Sequence, residues 1–521
     1  TTNGESLDWN SNAFLYYTRS FNKQHNLNVS AGWEAASGTT ESTNAHYRGF
    51  PSGEFHSLNY AAEVYKKPTR TENTTRRVSV LASANYTWND IYLVDASVRF
   101  DGSSEFGANQ KWAPFFSGGL GVNIHNYDFF KSNGYINKLK LRASYGRTGK
   151  VNFPAYAATT MYETLFDEWY ITGYGAVLKA LGNKDLTWEK TDKLSVGIET
   201  KTFHDRLTVD FEYYYNKTID LVNDVTLSQT SGFSTYKDNM GQVANKGVEL
   251  KLRADIYRDR NWNVALWGNM AHNKNEILKI SDSQKAYNER VAAYYKNEAL
   301  YQETLGLSHG AEYSVPLPQY EEGASLTSIW AVRSLGIDPT TGKEIFLNRD
   351  GSIADKWNAA QEVVVGNTEP KCSGAFGLNL SYKNWTLFAS FLYEWGGQEY
   401  NQTLVNNVEN ADLVNKNVDL RVLTDRWKKP GDIAQFKDIK DRGMTTLPTS
   451  RFVQDKALVR LNSLNVSYDF NRDWIKKHLR MNLLRLEAST SDLINWSSIK
   501  QERGLSYPRS WKVEFSLKAQ F

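Results

Sequence analysis

The segment Asn137–Lys150, NKLKLRASYGRTGK, places Lys138, Lys140, Arg142 and Ser144 in strict alternation with Leu139, Leu141, Ala143 and Tyr145. A period of two is that of a β-strand with one apolar and one wet face. The pattern recurs along the chain. Leu207, Val209, Phe211, Tyr213 and Tyr215 interleave with Thr208, Asp210, Glu212 and Tyr214, and Val248, Leu250, Leu252 and Ala254 with Glu249, Lys251, Arg253 and Asp255. Trp385, Leu387, Ala389, Phe391 and Tyr393 form another apolar face, as do Trp511, Val513, Phe515, Leu517, Ala519 and Phe521. In LVRLNSLNVSYDF the apolar phase slips between Leu461 and Leu464, which predicts a β-bulge near Asn462 and Ser463.

The alternation predicts about fifteen strands, near residues 11–20, 25–36, 76–88, 91–101, 112–124, 137–148, 187–203, 206–218, 240–257, 260–276, 371–382, 384–396, 455–470, 480–492 and 509–521. Short connections, such as Phe21–Gln24, Asn89–Asp90, His204–Asp205 and Asn384, take turns with long polar ones at 37–75, 102–111, 149–186, 219–239, 277–370, 397–454 and 493–508. A soluble multidomain β protein groups its short turns by hairpin. Unbroken short–long alternation is instead the pattern of an outer-membrane barrel, with tight periplasmic turns and large outer loops. The fold class expected is therefore all-β, a transmembrane antiparallel up-and-down barrel. Apolar residues then face lipid, where a cation near mid-membrane costs roughly 2–4 kcal/mol. Lys140, Arg142, Asp210, Glu212, Lys251 and Arg253 are accordingly expected to line the lumen or to hold a plug.

Composition narrows the class further. Of 521 residues 40% are hydrophobic and 13% aromatic, yet no run reaches the roughly 18 apolar residues of a membrane helix. Strands carry only half a face of hydrophobicity each, so a barrel is compatible with these figures. Aromatics in ANYTWND, FEYYYNK and FLYEWGG stand near strand ends, where they fit interfacial girdles as well as ordinary strand enrichment. A net charge of +3 argues against nucleic acid as a partner. The single Cys372 excludes an internal disulfide and is expected as a small residue at a strand start.

Candidate chemistry is sparse. YGRTGKV has Ser144 where a phosphate loop needs its first glycine, and GGLGVN lacks the third glycine of a dinucleotide fingerprint. Gly118, Gly119 and Gly121 fit better as places where a strand bends or a plug comes close. NRDGSIAD is expected to be a hairpin turn at Asp350 and Gly351 rather than a calcium loop. The eight histidines form no zinc pattern and no serine or cysteine sits in a nucleophile elbow, so neither catalysis, a metal nor a cofactor is expected. Loop aromatics hold the binding prospects: Tyr294, Tyr295, Tyr301, Tyr313, Tyr320 and Trp330 in 277–370, and Trp169, Tyr170 and Tyr174 beside Asp167 and Glu168. Such rings suit sugar stacking, a protein interface, or plain loop packing.

Along nearly its whole length the chain resembles the C-terminal barrel region of SusC/RagA-type TonB-dependent transporters, the outer-membrane nutrient importers of Bacteroidetes. The resemblance runs in order through RFDGSSEFGANQKWAPFFSGGLGVNI, LKLRASYGRTGK, NKDLTWEKTDKLSVGIETKTFHDRLTVDFEYYYNKTIDLV, NMGQVANKGVELKL, VGNTEPKCSGAFGLNLSYKNW, RFVQDKALVRLNSLNVSYDF and YPRSWKVEFSLKAQF. NWSSIKQERGLSYP departs from the Asp-Pro-Glu region usual before the last strand. The resemblance implies a barrel of twenty-two strands around a plug, transport powered by TonB through that plug, and a SusD-like lipoprotein as a lid over the long loops. It leaves open whether the cargo is a glycan or a peptide.

Parity agrees with this. A last strand ending on the short-turn side, counted back through about fifteen strands, makes residues 1–10 part of an outer loop and requires an odd number of further strands elsewhere; the twenty-two strands that the resemblance implies would leave seven. A protease nick in a loop, two genes, or a partial chain would each account for the start. Two rival functions remain open at this stage: a barrel repurposed as a structural or assembly scaffold, and a soluble β-rich sugar-binding protein.

Overall fold

The computed structural model describes residues 2–521 except 52–56, 132–133, 152, 154–155, 172, 227–234, 240, 416–417, 471 and 501–509. The chain divides into two compact units, one of residues 1–122, 142–194 and 217–242, the other of residues 123–141, 195–216 and 243–521. Among the described residues the main sheet has sixteen strands, and fifteen form a path in which sheet order follows chain order. They are Thr2–Phe21, His25–Arg48, Glu63–Trp88, Tyr92–Ser103, Trp112–Asn123, Ile136–Lys150, Glu189–Thr202, Leu207–Ile219, Gln242–Arg258, Trp262–Lys279, Cys372–Tyr382, Trp385–Tyr400, Val453–Asp469, Leu483–Thr490 and Val513–Gln520. Asn495–Ser497 pairs onto Val453–Asp469 beside the path. Every segment with alternating sequence is one of these strands, and Cys372 does begin one.

Tight turns join the strands at one end. Asn22 and Lys23 have φ of 49° and 58°, and Asn89 and Asp90 of 53° and 55°. Each pair is closed by a bond between the flanking residues, Gln24 N–H to Phe21 C=O at 3.1 Å and Ile91 N–H to Trp88 C=O at 2.9 Å. Two central residues at positive φ give the turn whose twist matches the strands, and asparagine and aspartate tolerate that region best. The bulge expected near Asn462 is present: Ser390 faces Ser463 and Phe391 faces Leu461, leaving Asn462 as the extra residue. Leu461 and Leu464 thereby keep one face. Gly118 and Gly119 stand in regular register with Ala96 and Asp95, so no bulge bends the sheet there.

Several strands run past their alternating segments. Residues 2–10, expected in a loop, continue the first strand, with Thr2 opposite Asn44; the hairpin between the second and third strands extends through Thr39, Thr40, Glu41, Ser42 and Thr43. Where both faces of a hairpin meet water nothing enforces a period of two, so the pairing persists after the pattern fades.

Burial is inverted relative to a soluble protein. Leu120 is 63% exposed, Phe515 76%, and Val94, Leu141, Phe211, Leu252, Leu266 and Leu486 are exposed too. Polar neighbours in the same strands, such as Lys140, Arg142, Asp210 and Glu212, are half-buried. The polar face is stitched across strands. Arg99 bonds Glu34 and Ser79, both at 2.9 Å, together with Asp101; Lys138 meets Glu199 at 2.6 Å; Arg485 meets Asp469. An exposed apolar face backed by a half-buried, ion-paired one is the arrangement a lipid-facing wall requires.

Buried apolar clusters lie mainly in the long connections instead, Phe115 of the strand Trp112–Asn123 joining one of them. In the first unit Phe106, Phe115, Phe153, Leu186, Trp188 and Val222 pack together, with Phe106 and Trp188 stacked at 4.3 Å. In the second unit Leu404, Val405, Val408, Val422, Phe436 and Phe452 form one cluster, and Val291, Tyr295 and Leu447 another.

Candidate functional site

The two longest connections of the second unit fold into the most elaborated region of the molecule. Residues 280–371 open on the helix Asp282–Leu305. Ser281 caps it, its hydroxyl accepting from Gln284 N–H while the Gln284 side chain accepts from Ser281 N–H, and Gly306 closes it at φ 63°. This reciprocal box satisfies two otherwise orphaned donors. Ser281, Gln284 and Gly306 were the available sequence signal for the helix, masked by its weak amphipathicity.

The helix face sets most of the expected aromatics in place. The Tyr294 ring stacks on Tyr313 at 4.2 Å, and Tyr301 lies 3.7 Å from the His309 ring. Tyr295 is fully buried; its hydroxyl donates to Val315 C=O and accepts from Leu317 N–H at 2.9 Å, and burial raises its pKa. Trp330 is likewise buried, in the short strand Ser328–Ala331. Tyr295 and Trp330 therefore present no ring face to solvent and act in packing the loops. Tyr174 is exposed, in a hairpin of Met161–Tyr170 and Gly173–Ala180 whose backbone pairs it with Trp169. The side chains of Trp169 and Tyr170 lie outside the described residues. Structure thus joins Tyr294, Tyr295 and Tyr301 on one helix, while Tyr174 and Trp330 belong to separate substructures. Lys140, Arg142, Asp210, Glu212, Lys251 and Arg253 all alternate with the outward apolar residues of their strands, with Arg253 3.3 Å from Asp255.

Sequence reasoning missed the buried charges that hold these loops. Arg451 reaches Glu344 at 2.9 Å and Glu409 at 2.6 Å. Burial disfavours its cation, but the two carboxylates outweigh this and raise its pKa; burial likewise opposes ionisation of Glu344, and Arg451 reverses the balance and lowers it. Nearby Arg426 donates to Val422, Val408, Glu409 and Lys437 carbonyls, and Lys437 Nζ donates to Met444 C=O at 2.8 Å. Glu298, fully buried, accepts from His309 N–H at 3.2 Å and contacts the His309 ring. Glu362 differs in having no cationic side chain bonded to its carboxylate among the described residues, Arg349 donating to its backbone carbonyl instead. Gln319 donates to one oxygen, the other has no partner, and burial pushes the carboxyl up to about 8.

A cavity of about 340 Å³ opens beside this network, lined by Glu344, Trp357, Lys437, Asp441, Thr446 and Thr449. A second, of about 460 Å³, is lined by Val315, Pro316, Leu317, Trp330, Tyr400 and Gln402. The turn at Asp350 and Gly351 is the expected hairpin, Asp350 accepting from Ser352 N–H at 2.9 Å. Among the described residues no three His, Cys, Asp or Glu side chains converge on a metal position.

The arrangement as a whole, an antiparallel sheet with an exposed apolar face and folded long connections, is that of an outer-membrane barrel wall. The chain belongs to the TonB-dependent receptor-like β-barrel family, whose model matches residues 1–488. It is 26% identical to TonB-dependent receptor P39 of Formosa agariphila, over 99% of this chain and 53% of that protein. Against TonB-dependent receptor SusC of Bacteroides thetaiotaomicron it is 29% identical, over 46% of this chain and 25% of that one. The RagAB peptide importer in its open-open state superposes with a TM-score of 0.82 at 22% identity, covering 100% of this chain and 55% of that one. The chain spans about half the length of the relatives P39 and P3. Receptors of this family are outer-membrane proteins and not enzymes, which places the chain in the outer membrane.

Proposed function

We propose that this chain is the C-terminal portion of the barrel of a TonB-dependent importer that takes an oligomeric nutrient, glycan or peptide, across the outer membrane. The observation that carries the proposal is the pairing of an inverted, ion-paired wall with two long connections that fold around their own cores and cavities. Such connections form a preorganised cradle rather than loose loops. In this reading the chain supplies fifteen strands of a closed barrel of twenty-two. The remaining strands and a plug belong to the rest of the importer, TonB acts through the plug, and a SusD-like lipoprotein covers the outer connections. Lys140, Arg142, Asp210, Glu212, Lys251 and Arg253 line the lumen or hold the plug. Tyr294, Tyr301 and Tyr174, with Trp169 and Tyr170 of the Tyr174 hairpin, contact cargo or lid, while buried Tyr295 supports its neighbour Tyr294 and Trp330 packs its own connection. RagAB, similar in fold, is a peptide importer, which makes peptide the first cargo to test.

The test is peptide mass spectrometry of the native particle extracted in detergent. A stoichiometric plug-bearing polypeptide together with a lipoprotein is the expected result. Recovery of this chain with other partners and no plug would reject transport in favour of a scaffold.

A further inference from the structure

The cavity of about 340 Å³ in the second unit is built from both long connections, and each supplies a different half. Residues 280–371 contribute Phe346, in the strand Glu344–Leu347, and Trp357; residues 401–452 contribute Lys437, Met444 and Leu447. Bonds between the connections hold the two halves together. Trp357 Nε1 donates to Pro448 C=O at 2.9 Å, the Ser308 hydroxyl to Gly443 C=O at 3.0 Å, and the Thr445 hydroxyl to Gly310 C=O at 3.1 Å. The volume falls within the range of small-molecule sites, about 300–1,000 Å³.

The cation in its lining is unbalanced. An ammonium carries three N–H bonds. Lys437 donates within the protein to Met444 C=O at 2.8 Å and to the Thr446 hydroxyl at 3.2 Å, and among the described residues it has no third partner and no ion-paired carboxylate. Glu344 and Glu409, whose charges reach it, are both held by Arg451. Asp441 lines the same cavity without pairing with it. Burial outweighs these distant charges and lowers the Lys437 pKa. The cation is thus kept at a cost that a carboxylate placed in the cavity would offset.

We propose that this cavity binds the C-terminal residue of a peptide, its carboxylate on the Lys437 ammonium and an apolar side chain against Phe346, Trp357 and Leu447. The inference deepens the import reading and rests on it for calling that peptide cargo. An acidic sugar would bring the same carboxylate, but its hydroxyls would need partners of their own. The hydroxyls in the lining are already engaged: Thr445 with Gly310 C=O, Thr446 with Asn410 and Lys437, and Thr449 with Arg451 N–H. Phe346, Trp357, Met444 and Leu447 suit an apolar body instead. Asp355 and Asp441, also in the lining, disfavour a doubly charged phosphate and leave a single carboxylate as the fitting anion.

Isothermal titration calorimetry of the native particle in detergent, with N-acetyl-alanyl-phenylalanine as probe, reads binding without transport. The free acid should bind, and both its C-terminal amide and the variant Lys437→Met should weaken binding roughly tenfold or more. Asp441→Asn removes a carboxylate that competes with the ligand and should tighten binding severalfold. Lys437 also holds the turn at Met444 through its backbone, so Met444→Trp gives a second reading: it keeps the C=O that Lys437 uses, fills the cavity, and should abolish binding. Equal binding of acid and amide, or unchanged affinity in Lys437→Met and Met444→Trp, would overturn the proposal. Glucuronate binding more tightly than the dipeptide would also overturn it, in favour of an acidic sugar. A particle with a plug and a lipoprotein that does not bind the dipeptide rejects this site and leaves import standing; one that binds it without a plug rejects import and leaves the site standing.

Discussion

Glu362 gives the sharpest quantitative test of the outer connections. Its carboxyl is buried, one oxygen lacks a partner, and its pKa rises from the ordinary glutamate value of 4.5 to about 8. Burial is the larger cause; the Gln319 bond and the charge of Arg349 oppose it only partly. Below the ordinary value both the closed and the opened segment hold the proton, and the group has no effect on stability. Between 4.5 and about 8 the opened segment loses its proton while the closed one keeps it, so stability falls as pH rises, by about 1.4 kcal/mol per unit. Above that window the penalty is constant. At pH 7 it amounts to roughly 3 kcal/mol, or more than a hundredfold in an opening equilibrium. Glu362→Gln removes the titration while keeping the shape. Hydrogen exchange of amides in residues 357–367, corrected for intrinsic rates, should show strong extra protection in the variant at pH 7.5 and almost none at pH 5. Equal protection ratios at both pH values, or a less protected variant at pH 7.5, would refute the reasoning.

Arg451→Met leaves Glu344 and Glu409 buried without their shared cation and should cost about 3–5 kcal/mol, seen as faster proteolysis within residues 401–452. Adding Glu344→Gln and Glu409→Gln should recover much of that loss. Leu141→Lys should impair folding into vesicles by roughly 2–4 kcal/mol, whereas Lys140→Leu, on the opposite face, should cost far less; equal penalties would contradict the assignment of faces. Deleting Asn462 keeps Leu461 and the leucine after the bulge on one face and should allow assembly, while deleting Leu458 turns the start of that strand over and should abolish it, both read by heat-modifiable mobility.

The sheet was legible because lipid and lumen impose opposite demands on successive residues, so Leu139 to Tyr145 or Leu207 to Tyr215 announce themselves. Even the slip at Asn462 could be read, since a bulge is the way to move from Leu461 to Leu464 without changing face. Legibility ended where the chain leaves the membrane. Glu41, Ser42 and Thr43 remain paired although polar residues occupy both faces, and the helix Asp282–Leu305 carries tyrosines on a face too polar to show a period of 3.6. The buried network was hidden for another reason: Glu344, Glu409 and Arg451 are far apart in sequence, and no local spacing brings them together. Whether Tyr295 and Trp330 served recognition or loop packing stayed open in the sequence, because composition cannot tell which aromatic of a folded loop turns inward.

Sheet order that follows chain order also shapes assembly. Each strand seeks a partner adjacent along the main-sheet path, so hairpins such as the one at Asn22 and Lys23 close at the smallest entropic cost a chain offers. The junction between Lys279 and Cys372 is the longest of the several connections that depart from this. A flexible segment of some ninety residues, compared with a turn of a few, would add roughly 3 kcal/mol of closure entropy. A capped helix and its own apolar cluster shorten that excursion before the strands meet. The outer connections are thus folding aids as well as surface: a change that loosens the Tyr295 cluster should slow the zipping of the sheet at that one step, with little effect on the hairpins before it.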